Sequence, residues 1–361
     1  MRASAVTGEA WRNLLSGTTK AALFATVFVA TVGVVATLDV RSVVGVLQSA
    51  EEFAASGAAV QVIKADAQID GRRCDTLAGT GAIAAAGALR QGAPVRLWAM
   101  PGAPIQTIEA TPGLIALLPL IGQPALAGAL PSDGVWLSAD LAQTLGASPG
   151  STIDTDTGRA TVAGVYTWPD DGRARDLGYV MVIPVPTDGT FSQCWARIWP
   201  PDDDLSGLLF TTVNGATSGN QVSLGQLNTS LGATFDARAM LNGRLTRQAP
   251  WAGILIGLAL GYVAARSRRL ELASALHARV PRPQLTLQHL IETGAWAAAG
   301  AVIAAAGLLW AARLGNPDPS WTTWLIGVRT VAAGAATTLL GTLIGVTTSR
   351  EKHLFRYTKD R

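Results

Sequence analysis

The residues of this 361-residue chain best suited to redox, metal or nucleophilic chemistry are two cysteines, Cys74 and Cys194, and three histidines, His277, His289 and His353. Paired thiols form a lasting disulfide only in an oxidising compartment; read alone, the two cysteines are either such a pair or two buried thiols, and their separation in sequence does not decide. All three histidines fall in the last third of the chain, beside apolar runs. The long middle segment therefore has none, which excludes a Ser-His-Asp hydrolase or a histidine-ligated zinc there. Asp202-Asp203-Asp204 offers carboxylates for calcium, but it follows Pro200-Pro201 without EF-loop spacing, so a solvated turn is expected. No Gly-x-x-x-x-Gly-Lys-Ser/Thr occurs in the sequence, so the P-loop way of holding nucleotide phosphates is absent.

The elements that carry these residues are set by hydropathy. Apolar residues make up 49% of the chain and charged residues 15%, with the apolar ones gathered toward the two ends. Ala21 to Leu38 contains no charge between Lys20 and Asp39 and is long enough to span a bilayer. Further apolar runs cover 248–265, with Trp251 and Tyr262 near its ends, 285–312, interrupted by Glu292, and 330–348. A signal peptide competes for the first run, but the twenty-residue leader and the length of the apolar core favour a span. The net charge of +3 is scattered over the flanks of these runs and forms no stripe, which excludes a nucleic-acid partner.

The basic residues orient the four spans. Arg2, Arg12 and Lys20 precede the first; Arg266, Arg268, Arg269, Arg279 and Arg282 lie between the second and third; Arg350, Lys352, Arg356, Lys359 and Arg361 follow the fourth. All three sets belong in the cytoplasm, so both termini are expected inside a multi-pass plasma-membrane protein, with residues 40–247 and the loop 313–329 outside. Cys74 and Cys194 then lie on the oxidising side. Glu9 to Leu15, with Trp11, Leu14 and Leu15 on one side, reads as an interfacial helix within a cytoplasmic segment 1–20. Gly253, Gly257 and Gly261 repeat every four residues, as do Gly341 and Gly345, and such stripes let another backbone approach closely; the first is read as a helix-packing face, with a homodimer seam as one use.

The outer segment changes to short extended stretches broken by Gly and Pro. Strands are expected at Ala59 to Ala65, Ile83 to Leu89, Val95 to Ala99 and Ile105 to Ala110, with helices at Arg72 to Gly79 and after Pro112. Gly134 to Val165 reads as a strand, a helix capped by Ser138 and stopped by Gly146, a turn at Pro149-Gly150 and two further strands. In the loop between the second and third spans, Leu272, Ala275 and Leu276 share one face of a short amphipathic helix, with Arg268, Arg269 and Glu271 around the rest; spacing alone fits equally a solvated linker whose arginines only anchor the spans.

Two stretches carry a resemblance. The run Val135-Trp-Leu-Ser-Ala-Asp-Leu-Ala-Gln-Thr-Leu-Gly-Ala-Ser-Pro-Gly-Ser-Thr-Ile153, followed by Ala160-Thr-Val-Ala-Gly-Val-Tyr166, resembles the periplasmic-domain signature of MacB-type permeases, with Ser151 where that pattern has Asp. The loop resembles that of the FtsX family at Arg268, Arg269, Glu271, Leu272, Ala273, Ala275, Leu276 and Ala278, with Glu292 suiting its later acidic position. It departs at Ser274, at His277 where the pattern has Gly, and at Pro281 and Pro283.

The resemblance to MacB/FtsX-like ABC transporter permeases implies an α-helical membrane protein of four transmembrane helices with a mixed α/β extracytoplasmic domain. That domain would have a porter-like part (41–110 and 186–245), containing both cysteines and so favouring a bridge, and a sabre-like part (111–185). The spans would be 21–39, 248–265, 285–312 and 330–348, with a coupling loop at 266–284 and a cytoplasmic tail at 349–361. The implied role is a dimerising permease subunit that is not itself an enzyme and holds no cofactor, since ATP binds a separate ATPase subunit. That partner would dock on Arg268, Arg269, Glu271, Leu272, Ala275, Leu276, His277 and Arg279, and its motion would reach an unidentified peptide, lipid or lipoprotein-like substrate outside. Regulation of a cell-wall hydrolase or sensing of antimicrobial peptides is the alternative within this architecture. A membrane-anchored binding or scaffold protein is the alternative outside it.

Overall fold

The computed structural model describes residues 3–98, 100–121, 133–215 and 221–349. The expected basic tail after the fourth span, with Arg350, Lys352, His353, Arg356, Lys359 and Arg361, lies outside the described residues, as does Arg2. The chain divides into two compact units, Met1–Ser49 with Asp236–Arg361, and Ala50–Phe235.

The helical unit opens with α1 (Ala3–Leu15), longer than the expected interfacial helix, leaving Trp11 and Leu15 exposed while Ala10 is buried. After a left-handed Lys20 come α2 (Ala21–Phe28), a π-helical turn (Val29–Gly33) and α3 (Val34–Ala55). These form one 35-residue apolar stretch. The helix runs on past the expected span boundary at residue 39: Val40, Val43 and Val44 are buried at i, i+3, i+4 and keep the chain helical beyond Asp39.

The second unit consists of β1 (Val60–Asp70), α4 (Gly71–Thr76), β2 (Ile83–Gln91), β3 (Val95–Leu97), β4 (Met100–Ile105), β5 (Thr107–Ala110), α5 (Pro112–Ile121), β6 (Val135–Ser138), α6 (Ala139–Leu145), β7 (Thr152–Thr155), β8 (Gly158–Tyr166), β9 (Met181–Pro184), β10 (Thr190–Ile198), α7 (Asp203–Gly207) and β11 (Ser223–Gln226). Its strands make one mixed sheet in the order β11-β1-β10-β2-β5-β9-β6-β8-β7-β3-β4. β5 with β9 and β6 with β8 are parallel. Side chains alternate between faces as strand geometry requires. Val62 and Trp195 join Leu114 and Leu118 of α5 on one face, while Ile63 and Cys194 join Cys74 of α4 on the other.

Two features of this unit differ from the sequence reading. β3 and β4 fall inside the segment assigned to the porter-like part, yet Leu97 pairs with Thr155 of β7, and Leu97 and Ile105 pack with Val135, Leu137 and Leu141. They thus belong to the far end of the sheet, among strands of the 111–185 segment. Gly146 does end α6 in the left-handed conformation, at φ 60°, but Ser138 makes no side-chain cap; its hydroxyl is buried and unbonded. Backbone conformation rather than a cap bond starts this helix.

The helical unit resumes with α8 (Ala237–Gly243), a 3-10 turn (Leu245–Gln248), α9 (Ala249–Ser267), α10 (Arg269–His277), α11 (Arg282–Arg313) and α12 (Ser320–Thr347). Four stretches among the described residues, Ala21–Ala55, Leu245–Ser267, Arg282–Arg313 and Ser320–Thr347, are long and apolar enough to cross a membrane. Phe24, Phe28, Val32, Trp296, Leu308 and Val331 form their common core, with Phe24 stacked on Trp296 at 5.5 Å. The expected outer loop 313–329 shrinks to the few residues between α11 and α12. Ser320 already begins the helix after Pro319, so Trp321, Trp324 and Arg329 are helical.

Candidate functional site

The 266–284 segment is built from α10 and the turn after it. Pro281 and Pro283 do not truncate α10; they start α11, where their missing N–H groups cost nothing. One face of α10 is apolar. Leu272 is buried with Leu285 of α11, Val346 of α12 and Ala265 of α9, and Ala275 and Leu276 pack at the margin.

Polar groups fix the same helix. Arg268 donates through Nη1 to Glu292 Oε2 and through Nε to Glu271 Oε2 at 2.7 Å. Glu292 Oε1 also accepts from Asn13 Nδ2 of α1 at 2.7 Å and from Gln288 Nε2 at 3.2 Å. The Arg268 and Glu292 side chains are only 12% and 3% exposed. Burial pulls the Arg268 guanidinium down, but Glu292 and Glu271 outweigh it and hold it above its ordinary value. Three donors from three different elements thus fix the Glu292 carboxyl geometrically. The site thus ties α1, the end of α9, α10 and α11 together.

The eight residues singled out for partner contact consequently separate. Leu272 is buried and the Arg268 side chain, 12% exposed, is committed to Glu292 and Glu271, so these two act on a partner only through the helix they anchor. Arg269, Ala275 and Leu276 are half-buried, and Glu271, His277 and Arg279 are exposed. Arg279 sits in the left-handed region at φ 61°, which turns the chain from α10 toward α11. The sequence carried no direct signal for Asn13; its role appears only when α1 folds beside α11.

The other end of the bundle is fixed separately. Arg41 of α3 donates to the carbonyls of Leu314 at 2.5 Å and Ala311 at 3.4 Å, and Gln48 donates to that of Gly315 at 2.7 Å. Arg244 donates to Asp39 Oδ1 at 3.0 Å, and Asp39 is 1% exposed. The C-terminal end of α1 and the 266–284 segment therefore share one end of the bundle, and the α11–α12 turn shares the other with the Arg41–Gln48 part of α3.

The glycine stripe meets this chain's own fourth span. A Cβ on Gly257 or Gly261 would overlap the carbonyl oxygens of Gly334 and Thr338 in α12, and one on Gly253 would lie 3.0 Å from that of Thr330. Gly341 approaches the carbonyl of Leu258 equally closely. Within the chain this face is occupied by α12.

In the sheet unit Cys74 and Cys194 are joined in a disulfide, with Cα atoms 5.9 Å apart across 120 residues and both side chains fully buried. Next to it, Asp75 accepts from Thr111 Oγ1 at 2.5 Å and from the Gly113 amide at 2.9 Å; burial raises its carboxyl above the ordinary value despite these bonds. They seat the start of α5, where Gly87 and Gly113 let helix and strand backbones touch. Arg173, 1% exposed at its side chain, holds Asp171 bidentately at 2.6 and 2.8 Å, donates to the Ile121 carbonyl and lies over Trp168. Burial raises the Asp171 carboxyl, but the bonds and charge of Arg173 outweigh it, so the net direction is down. Asp202 accepts from the amides of Asp204 and Leu205 and caps α7, which accounts for the aspartate run. Among the described residues no group of three or more His, Cys, Asp or Glu could hold a metal ion.

No protein-family model matches the chain, and no curated protein does. Among solved structures, a domain of a protein described as a permease, from Porphyromonas gingivalis, is 16% identical, with 48% of this chain and 92% of that one covered, at a TM-score of 0.35. The extracellular domain of the noncanonic ABC-type transporter YknZ from Gram-positive bacteria is 12% identical, with 45% and 99% covered, at 0.32. Likenesses of this extent establish neither family nor function for this chain.

Proposed function

We propose that this chain is the membrane subunit of an ABC-type complex of the MacB/FtsX kind, with ATP hydrolysed by a separate subunit that docks on α10. The observation that supports this most is the mounting of α10. It is a short surface helix between two apolar helices, gripped by the buried Arg268–Glu292 pair and by Leu272, so a force on its exposed residues passes into α9, α11, α12 and α1 without bending the loop. A solvated linker would need neither the buried pair nor the apolar clamp. The charge bias of the flanking segments puts α10 and both termini in the cytoplasm and the sheet unit outside, where its disulfide persists. The subunit then exports or extracts a peptide, lipid or lipoprotein-like substrate handled by the outer unit, and works with a second copy. Affinity purification of the tagged chain from its native membrane tests the reading: an ABC ATPase should co-purify in stoichiometric amount, and its consistent absence would contradict the proposal.

A further inference from the structure

The sheet unit contains a cavity of about 260 Å³ on the face of its β11-β1-β10 end. Its rungs are set by register. Lys64 stands between Gln193 and Ser223, and one rung on Val62 stands between Trp195 and Gly225. Val62, Trp195 and Leu227 make an apolar floor, and the turn containing Ala174 and Asp176 makes a wall. The cavity is open because Gly225 contributes no side chain to a rung where a Cβ would meet nothing within 4 Å.

Two opposite charges face this space unpaired. The exposed Lys64 and Asp176 side chains make no ion pair or hydrogen bond with any described residue, whereas neighbouring Asp170 and Asp171 are each matched to an arginine. Gln193 has its Oε1 committed to Trp195 Nε1 at 2.9 Å, which leaves its amide NH₂ to donate beside Lys64. The lining of the cavity thus includes ammonium and amide donors, a carboxylate and apolar side chains. Its volume is under the ~300–1,000 Å³ of pockets that take drug-sized ligands.

From this geometry we infer that the cavity is a binding site for a small zwitterion, an α-amino acid or dipeptide, with its carboxylate on Lys64 and Gln193, its ammonium on Asp176 and its side chain on the Val62–Trp195 floor. The site lies wholly within the sheet unit and stands apart from the proposal about α10. It would give that unit a means to sense or select small peptides.

Calorimetric titration of the purified full-length chain with L-leucine and with Ala-Leu tests it. Saturable binding of at least one probe is expected. Lys64→Ala and Asp176→Asn should each weaken it by about tenfold or more, as loss of a charge-assisted contact does. N-acetyl-leucine, lacking the ammonium, should bind weakly and be indifferent to Asp176→Asn while still sensitive to Lys64→Ala. Gly225→Leu should fill the cavity and abolish binding, with an unchanged circular dichroism spectrum showing that the fold survives. Absence of saturable binding by either probe, or binding that all three variants leave unchanged, would overturn the inference.

Discussion

Arg268 and Glu292, 24 residues apart, form an ion pair almost closed to solvent, joining the segment after the second apolar helix to the inside of the third. Asn13 completes it from the N-terminal helix. Surface pairs contribute little to stability, but removing one partner of a buried pair strands a charge and costs about 3–5 kcal/mol.

Arg268→Met and Glu292→Gln should therefore each lower the unfolding free energy of the purified chain by about that amount. The double variant should cost clearly less than the sum, because it leaves no stranded charge. Denaturant titration of the four proteins measures the coupling; strict additivity would mean that the two side chains do not act as a pair.

The glycine stripe makes a different prediction. Gly257→Leu drives a side chain into the α12 backbone, where Gly334 and Thr337 leave no room, and overpacking costs about 1–3 kcal/mol at least. Thermal stability of the single chain should fall irrespective of protein concentration. A loss confined to oligomer size would instead put the stripe between copies.

How far the sequence revealed these features depended on the range of the interaction involved. The turn at Gly146 was legible because it is local: a glycine just past an apolar helical run supplies the left-handed residue that ends it. Leu272, Ala275 and Leu276 were legible as one face for the same reason. The start of α12 was not, since Trp321, Trp324 and Arg329 fell in the expected outer loop 313–329 while Ser320, after Pro319, already begins a helix. The β7 partner of β3 lies almost sixty residues away, and no local pattern specifies that pairing. Arg268 looked like a solvated membrane flank because nothing near it in sequence announces Glu292, Asn13 and the shielding around them.

Reduction should weaken the sheet unit. A bond closing a loop of 120 residues stabilises by about 2–5 kcal/mol. Cys74→Ser, Cys194→Ser and the double variant should show nearly the same loss, and reductant should lower the melting temperature of the parent but not of the variants. A parent insensitive to reductant under unfolding conditions would contradict this.

The Asp171–Arg173 pair gives the sheet unit a signed pH dependence. Arg173 holds the Asp171 carboxyl below its ordinary 3.8, so the stabilisation it provides is complete above that value and is lost as pH falls through the lower, folded one. Asp75, held above 3.8 by burial, works in the opposite direction: its contribution is present at low pH and lost as pH rises. Asp171→Asn should thus lower stability at pH 5 and flatten its fall between pH 5 and pH 3, measured by urea midpoints. A pH profile parallel to the parent's would exclude Asp171 as a contributor.

On the proposed function, α10 is the place where an ATPase pushes. A photo-crosslinking residue placed at the exposed positions 271, 277 or 279 in living cells, followed by mass spectrometry, should trap an ABC ATPase, while the same residue at buried position 272 should trap only segments of this chain. Crosslinks from all three exposed positions to lipid alone, with no ATPase at any of them, would contradict the central claim.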